Sequence, residues 1–262
     1  NDSTFNTDIS QWDTSSAIDM SLMFFGASSF NQSVGNWNVG NVSNMSNMFA
    51  RASSFNQDIG NWNVGNVTNM TGVFYYTNSF NQNIGNWNTS KVTSLREMFS
   101  GTSFNQDIGN WNVAKVTDTH GMFYEASSFN QNIGNWNVDN VTDMGYMFGF
   151  SDSFNQDITE WSISENTSLT NMLQNSPLES AAGATPLASY FNQTATTTVT
   201  GVVETEAQAL NYIASNPDLI TAFGTDTDRA INHYTKFGQA EGRTLDNFDE
   251  WGYLASNNDL LK

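Results

Sequence analysis

The chain's 262 residues hold 26 acidic side chains against 8 basic ones, for a formal charge of -18 and a sequence pI near 4.1. Acids exceed bases fifteen to four before Ser176 and eleven to four after it, with no basic cluster, which argues against nucleic acid and anionic membrane surfaces as partners. Absence of cysteine removes disulfides, thiolate metal sites and a cysteine nucleophile, and no apolar run reaches the ~20 residues that span a bilayer.

From the start, one phrase returns seven times: Phe-Asn-Gln-Asp-Ile-Gly-Asn-Trp-Asn-Val, with small changes. Its Phe falls at Phe5, Phe30, Phe55, Phe80, Phe104, Phe129 and Phe154, and its Trp at Trp12, Trp37, Trp62, Trp87, Trp111, Trp136 and Trp161. The step is 25 residues, with one of 24 between the fourth and fifth copies. A fixed period of this size marks stacked repeats, each contacting only its neighbours. In the third copy Trp62 and Val64 are two apart, which predicts a short strand. Met70, Val73 and Phe74 are spaced three and four apart, which predicts about two turns of helix. The Trp, Phe and Met columns read as core, since a lone repeat buries too little to offset its ordering entropy whereas seven together do.

Gln11 with Asp13 and Glu160 with Ser162 flank the first and last Trp, whereas asparagines flank the five central ones: Asn36 and Asn38, Asn61 and Asn63, Asn86 and Asn88, Asn110 and Asn112, Asn135 and Asn137. Alternation with the buried Trp turns them outward, as two uncharged amide ladders bonded from rung to rung, and makes them the candidate binding surface. A further column reads Asp8, Ser33, Asp58, Asn83, Asp107, Asn132, Asp157, charged and neutral by turns. Two carboxylates one strand apart would repel by roughly 1 kcal/mol in water, so the alternation is expected of residues stacked in register. The same oxygens raise calcium as a weaker possibility; no other cofactor and no metal are called for.

The apolar frame Ile59, Trp62, Val64, together with Met-Phe followed by Ala-Ser-Ser-Phe-Asn-Gln (clearest at residues 122–131), resembles the leucine-rich repeats of BspA-like and mycoplasma-type bacterial surface proteins. The resemblance covers residues 1–175, although Trp, Ile, Val, Met and Phe stand where that family has Leu. It implies an α/β solenoid, a leucine-rich-repeat-like array of about seven repeats, with an extracellular or cell-surface location and attachment to host or matrix.

After Met172 the frame fades. Pro177, Pro186 and the small residues between them predict a linker over 176–203, within which the β-branched run at 194–203 is expected as a strand without a local mate. Residues 204–262 read as a small helical domain: Thr205 with Gln208 and Thr225 with Asp228 form capping boxes. Tyr212-Ile-Ala-Ser-Asn-Pro-Asp-Leu recurs, nearly unchanged, at Tyr253, 41 residues on. This tract resembles a short helical repeat of large surface proteins of aquatic bacteria. The chain opens on Asn1 just ahead of the first phrase and breaks off in mid-phrase, so a removed leader or a trimmed fragment is expected.

Neither histidine, His120 or His233, has an evident catalytic partner, and there is no phosphate loop or zinc-ligand spacing. The expectation is a non-enzymatic surface protein acting by contact, through adhesion or self-assembly, with recognition of glycan or ice by the asparagine ladders as the alternative. Assembly is expected head to tail. Phe5, Ile9 and Trp12 of the first repeat would be covered by the strand bearing Val199, Val202 and Val203 of another copy.

Overall fold

The structure, a computed structural model, describes residues 2–164, 166–182 and 192–194; for residues 180–182 and 192–194 it describes the backbone alone. The chain divides into two compact units, Asn1–Thr196 and Thr197–Lys262. The second unit, and with it the expected helical domain and Val199, Val202 and Val203, lies outside the described residues.

The helix expected around Met70 to Phe74 does not form. In its place each repeat carries a ribbon of tight turns, and the reason lies in two left-handed positions per repeat. One is occupied by Leu22, Asn47, Gly72, Glu97, Gly121, Tyr146 and Asn171, the other by Gly26, Arg51, Tyr76, Gly101, Glu125, Phe150 and Asn175, all with φ between 51° and 71°. A positive φ at the third residue makes the segments 20–23 and 24–27 type II turns, closed by hydrogen bonds from the amides of Met23 and Ala27 to the carbonyls of Met20 and Phe24. Every second amide then points along the stack: those of Met20, Leu22, Phe24 and Gly26 donate to the carbonyls of Asn44, Ser46, Met48 and Ala50 in the next repeat. A two-turn helix is too short to hold itself. The ribbon instead ties each repeat to its neighbour. A left-handed non-glycine residue costs about 1 to 2 kcal/mol, which the cross-repeat bonds help to offset.

The parallel ladder lies on this ribbon too. Asp19, Asn44, Asn69, Ser94, Asp118, Asp143 and Ser168 form successive parallel bridges, one per repeat. The strand expected at Trp62 and Val64 is likewise replaced by turns, closed by the Trp62 amide on the Ile59 carbonyl and the Val67 amide on the Val64 carbonyl. Only in the seventh repeat does this place hold a strand, β1 (Ser162–Ser164). It is followed by a short helix, α1 (Pro177–Ala182), and a strand, β2 (Asn192–Thr194). β2 pairs in parallel with β1, Ser162 opposite Asn192, and Leu178 of α1 is buried against the end of the core. β2 shares only Thr194 with the strand expected at 194–203, the rest of which lies outside the described residues.

One apolar core runs from Ile9 to Leu178. Two phenylalanines of each repeat stack face to face, as Phe49 on Phe55 at 3.9 Å and Phe74 on Phe80 at 3.8 Å, and both columns continue from repeat to repeat at 5.4 to 6.4 Å. Trp37, Trp62, Trp87, Trp111, Trp136 and Trp161 are buried, and each indole Nε1–H donates to a carbonyl of the preceding repeat: Ile9, Val34, Ile59, Ile84, Ile108 and Ile133.

Candidate functional site

The ten asparagines beside the tryptophans are all exposed, but they are not hydrogen-bonded ladders. Asn38, Asn63, Asn88, Asn112 and Asn137 each turn Oδ1 back to the backbone amide two residues on, at 3.1 to 3.2 Å. This is the local Asx turn, which competes with any sheet pairing. Asn36, Asn61, Asn86, Asn110 and Asn135 make no hydrogen bond among the described residues, and they form a row of free amides along the stack.

The amide ladder that does run between repeats was hidden in the Phe-Asn-Gln triplet. Asn6 Oδ1 accepts both the Asn31 backbone amide and the Gln32 Nε2, each at 3.0 Å. The pattern repeats through Asn31, Asn56, Asn81, Asn105 and Asn130, which serve the Asn–Gln pair of the following repeat. The near-invariance of Asn-Gln across seven copies was the signal available in the sequence.

The alternating acidic column also serves the backbone. Asp8, Asp58, Asn83, Asp107, Asn132 and Asp157 accept the amide two residues on at 2.8 to 3.0 Å. The Ser10 amide and hydroxyl hold Asp8 below the usual carboxylate range, and the Thr159 hydroxyl and amide do the same for Asp157. One oxygen of each calcium candidate is thus committed to the chain, and among the described residues no group of three acids or histidines is placed to hold a metal.

At the first repeat, the assembly residues separate. Ile9 is buried, and Phe5 is half-buried, its ring stacked 5.7 Å from Phe30, so neither is an exposed contact. Trp12 is 54% exposed; sequence reasoning missed Leu22 and Met23, which line one hollow with it, and the exposed Ile18 of the same repeat. The carbonyls of Asp19, Ser21, Met23 and Phe25 occupy the places that accept cross-repeat bonds in every later repeat, and here they accept none among the described residues.

Where the repeats differ from one another, they differ together. The most variable places are the two left-handed positions and the residues just before them. Phe25, Ala50, Tyr75, Ser100, Tyr124, Gly149 and Gln174 form one such column, large and small by turns. The Tyr124 ring lies over Gly149, where a Cβ would come within 3.1 Å of it, and the Tyr76 ring lies over Gly101, where a Cβ would come within 2.7 Å. Tyr76 Oη donates to Glu125 Oε2 at 2.5 Å, two repeats on, and this bond, with burial, pushes the phenol well above its ordinary range. The Arg51 guanidinium stands 5.7 Å from the Tyr75 ring centre and 5.9 Å from that of Tyr76. Tyr124 meets Phe150 at 5.6 Å and Tyr146 at 6.0 Å, and Tyr146 Oη accepts from Asn171 at 2.7 Å. On the same ribbon His120 Nδ1 lies 3.3 Å from Asp143, and Arg96 lies 3.6 Å from Asp118. His233 is outside the described residues.

The model of a family described as "Mycoplasma protein of unknown function, DUF285" matches residues 1–103 and 76–185. No curated protein and no solved structure matches the chain.

Proposed function

The chain belongs to this mycoplasma-type family, and from its geometry we propose a non-catalytic, stacked-repeat solenoid of the BspA-like kind that works by contact at the bacterial cell surface. The observation that carries this reading is the row of exposed, unbonded amides at Asn36, Asn61, Asn86, Asn110 and Asn135. The neighbouring polar columns are spent on cross-repeat bonds or on their own backbone, whereas this one is offered outward at a fixed interval. An uncharged, regular surface suits broad, weak, multivalent attachment, in which many modest contacts add up. As a second contact we propose head-to-tail self-association. The open carbonyls and exposed Trp12 of the first repeat match what an internal junction buries. A further repeat, preceding it in a longer chain or supplied by another copy, would complete them, and between copies the association does not close on itself.

One experiment with two arms tests the reading. Beads coated with the chain should be retained on surfaces coated with extracellular matrix. The triple change Asn61→Ala, Asn86→Ala, Asn110→Ala should reduce retention while moving stability by no more than about 0.5 kcal/mol per site. In parallel, light scattering on the free chain should show mass rising with concentration. Beads that wash off, together with a chain that stays monomeric at high concentration, would overturn the proposal.

A further inference from the structure

We propose that the tyrosine strip on the turn ribbon is a platform for an extended, neutral glycan chain lying along the stack, its sugar rings seated on the tyrosine faces. The inference rests on the contact reading but uses a face other than the asparagine row, so either can fail alone.

Three properties of the strip point to this ligand. The first is aromatic relief. Tyr76 and Tyr124 lie over Gly101 and Gly149, whose lack of a side chain makes the room, while Tyr75 stands at 70° to Tyr76, and Tyr146 and Phe150 at 78° and 77° to Tyr124. The tyrosine–glycine pairs break the repeat in step, the ring in one copy and the glycine in the next. A ring laid on the surface presents its electron-rich face to solvent, which attracts the positively polarised C–H groups on the face of a pyranose. The second is extent. From Arg51 to Asn171 the strip crosses six repeats, about 24 Å at ~4.8 Å per repeat. The Tyr76–Glu125 and Tyr146–Asn171 hydrogen bonds pin its rings in place, so little side-chain freedom is lost on binding. The strip passes from repeat to repeat along the stack, which an extended chain can follow, and equatorially linked pyranosides are extended.

The third property is charge. The strip's charges are single and mixed in sign: Arg51 against Tyr75 and Tyr76, Glu97 beside Arg96, and Glu125 accepting from the Tyr76 hydroxyl. Neither a polycation nor a polyanion finds a run of countercharge there, and the excess of acids over bases in this part of the chain repels the latter. A peptide strand is disfavoured for another reason. Backbone amides on this face are already bonded to the next repeat, those of Arg51, Tyr76, Glu125 and Phe150 to the carbonyls of Tyr75, Ser100, Gly149 and Gln174, leaving no edge to extend.

The test is calorimetric titration of the whole chain with cellohexaose and mannohexaose, both extended, and with maltohexaose, whose linkage curls the chain. The extended sugars should bind in the millimolar range or tighter, and the curled one at least several-fold more weakly. The double change Tyr75→Ala, Tyr124→Ala should weaken binding by about tenfold or more, with the melting temperature little changed, whereas the triple asparagine variant should bind normally. Should the tyrosine variant fold poorly, saturation transfer between cellohexaose protons and tyrosine ring protons in the unaltered chain provides the independent readout. Binding of neither extended sugar, equal binding of maltohexaose, full affinity in the double variant, or no transfer to tyrosine would each overturn the proposal.

Discussion

Replacing Trp87 by alanine should cost about 3 to 5 kcal/mol, the range for large aromatic truncations in a packed core. Trp87 is 4% exposed, and it stacks between Trp62 at 6.5 Å and Trp111 at 6.3 Å. Its removal takes away the apolar contacts, leaves a void at the middle of the array and strips the Ile59 carbonyl of the indole Nε1–H that donates to it at 3.1 Å. That carbonyl keeps the Trp62 amide and loses only its second donor, which adds a smaller penalty. Trp12→Ala is the control: the same residue type in the same column, but 54% exposed and with no indole hydrogen bond among the described residues. It should cost less than about 1 kcal/mol. Denaturant unfolding of the two variants beside the unaltered chain checks the contrast. Equal losses would mean that the column is not what joins the repeats.

Gly85→Ala should destabilise by about 2 to 3 kcal/mol, although the change adds a single methyl group. The added Cβ would lie 2.4 Å from the Asp107 backbone carbonyl oxygen in the next repeat. No side chain can swing aside there, because the obstacle is backbone, so two repeats must part and strain the cross-repeat bonds. The entropy lost from the unfolded chain works in the opposite direction, by less than about 1 kcal/mol. Gly35, Gly60, Gly109 and Gly134 meet the next repeat in the same way. Ser10 and Thr159 hold this place in the first and the seventh phrase, at the two ends of the array. Thermal melts of Gly85→Ala and Thr159→Ala should show a large drop for the first and almost none for the second. A neutral Gly85→Ala would contradict the close approach of the repeats.

The period, the buried columns and the exposure of the asparagines were legible in the sequence, because burial is periodic and the copies register it seven times. Local conformation was not. Met70, Val73 and Phe74 have the spacing of a helix face, yet the left-handed backbone at Gly72 and Tyr76 breaks the helix into turns. Residue identity signals that conformation at glycine and asparagine, but not at Arg51, Glu97 or Phe150, where the cross-repeat bonds impose it. Asparagine itself was ambiguous in the same way. Its amide can reach the neighbouring repeat, as Asn31 does, or its own backbone, as Asn63 does. Sequence alone does not separate the two where both surround an apolar residue. The tyrosine strip was legible only as irregularity, since the pairing of Tyr76 with Gly101 and of Tyr124 with Gly149 needs the left-handed columns to be known first.

Hydrogen exchange at the indole Nε1–H groups, followed by NMR, tests most directly that the tryptophan column joins successive repeats and leaves the polar rows free for contact. The indoles of Trp37, Trp62, Trp87, Trp111, Trp136 and Trp161 should exchange slowly, each donating to a carbonyl of the repeat before it. That of Trp12, at 54% exposure, should exchange at the rate of a free indole. Uniformly fast exchange across the seven would place the column in solvent and contradict the account.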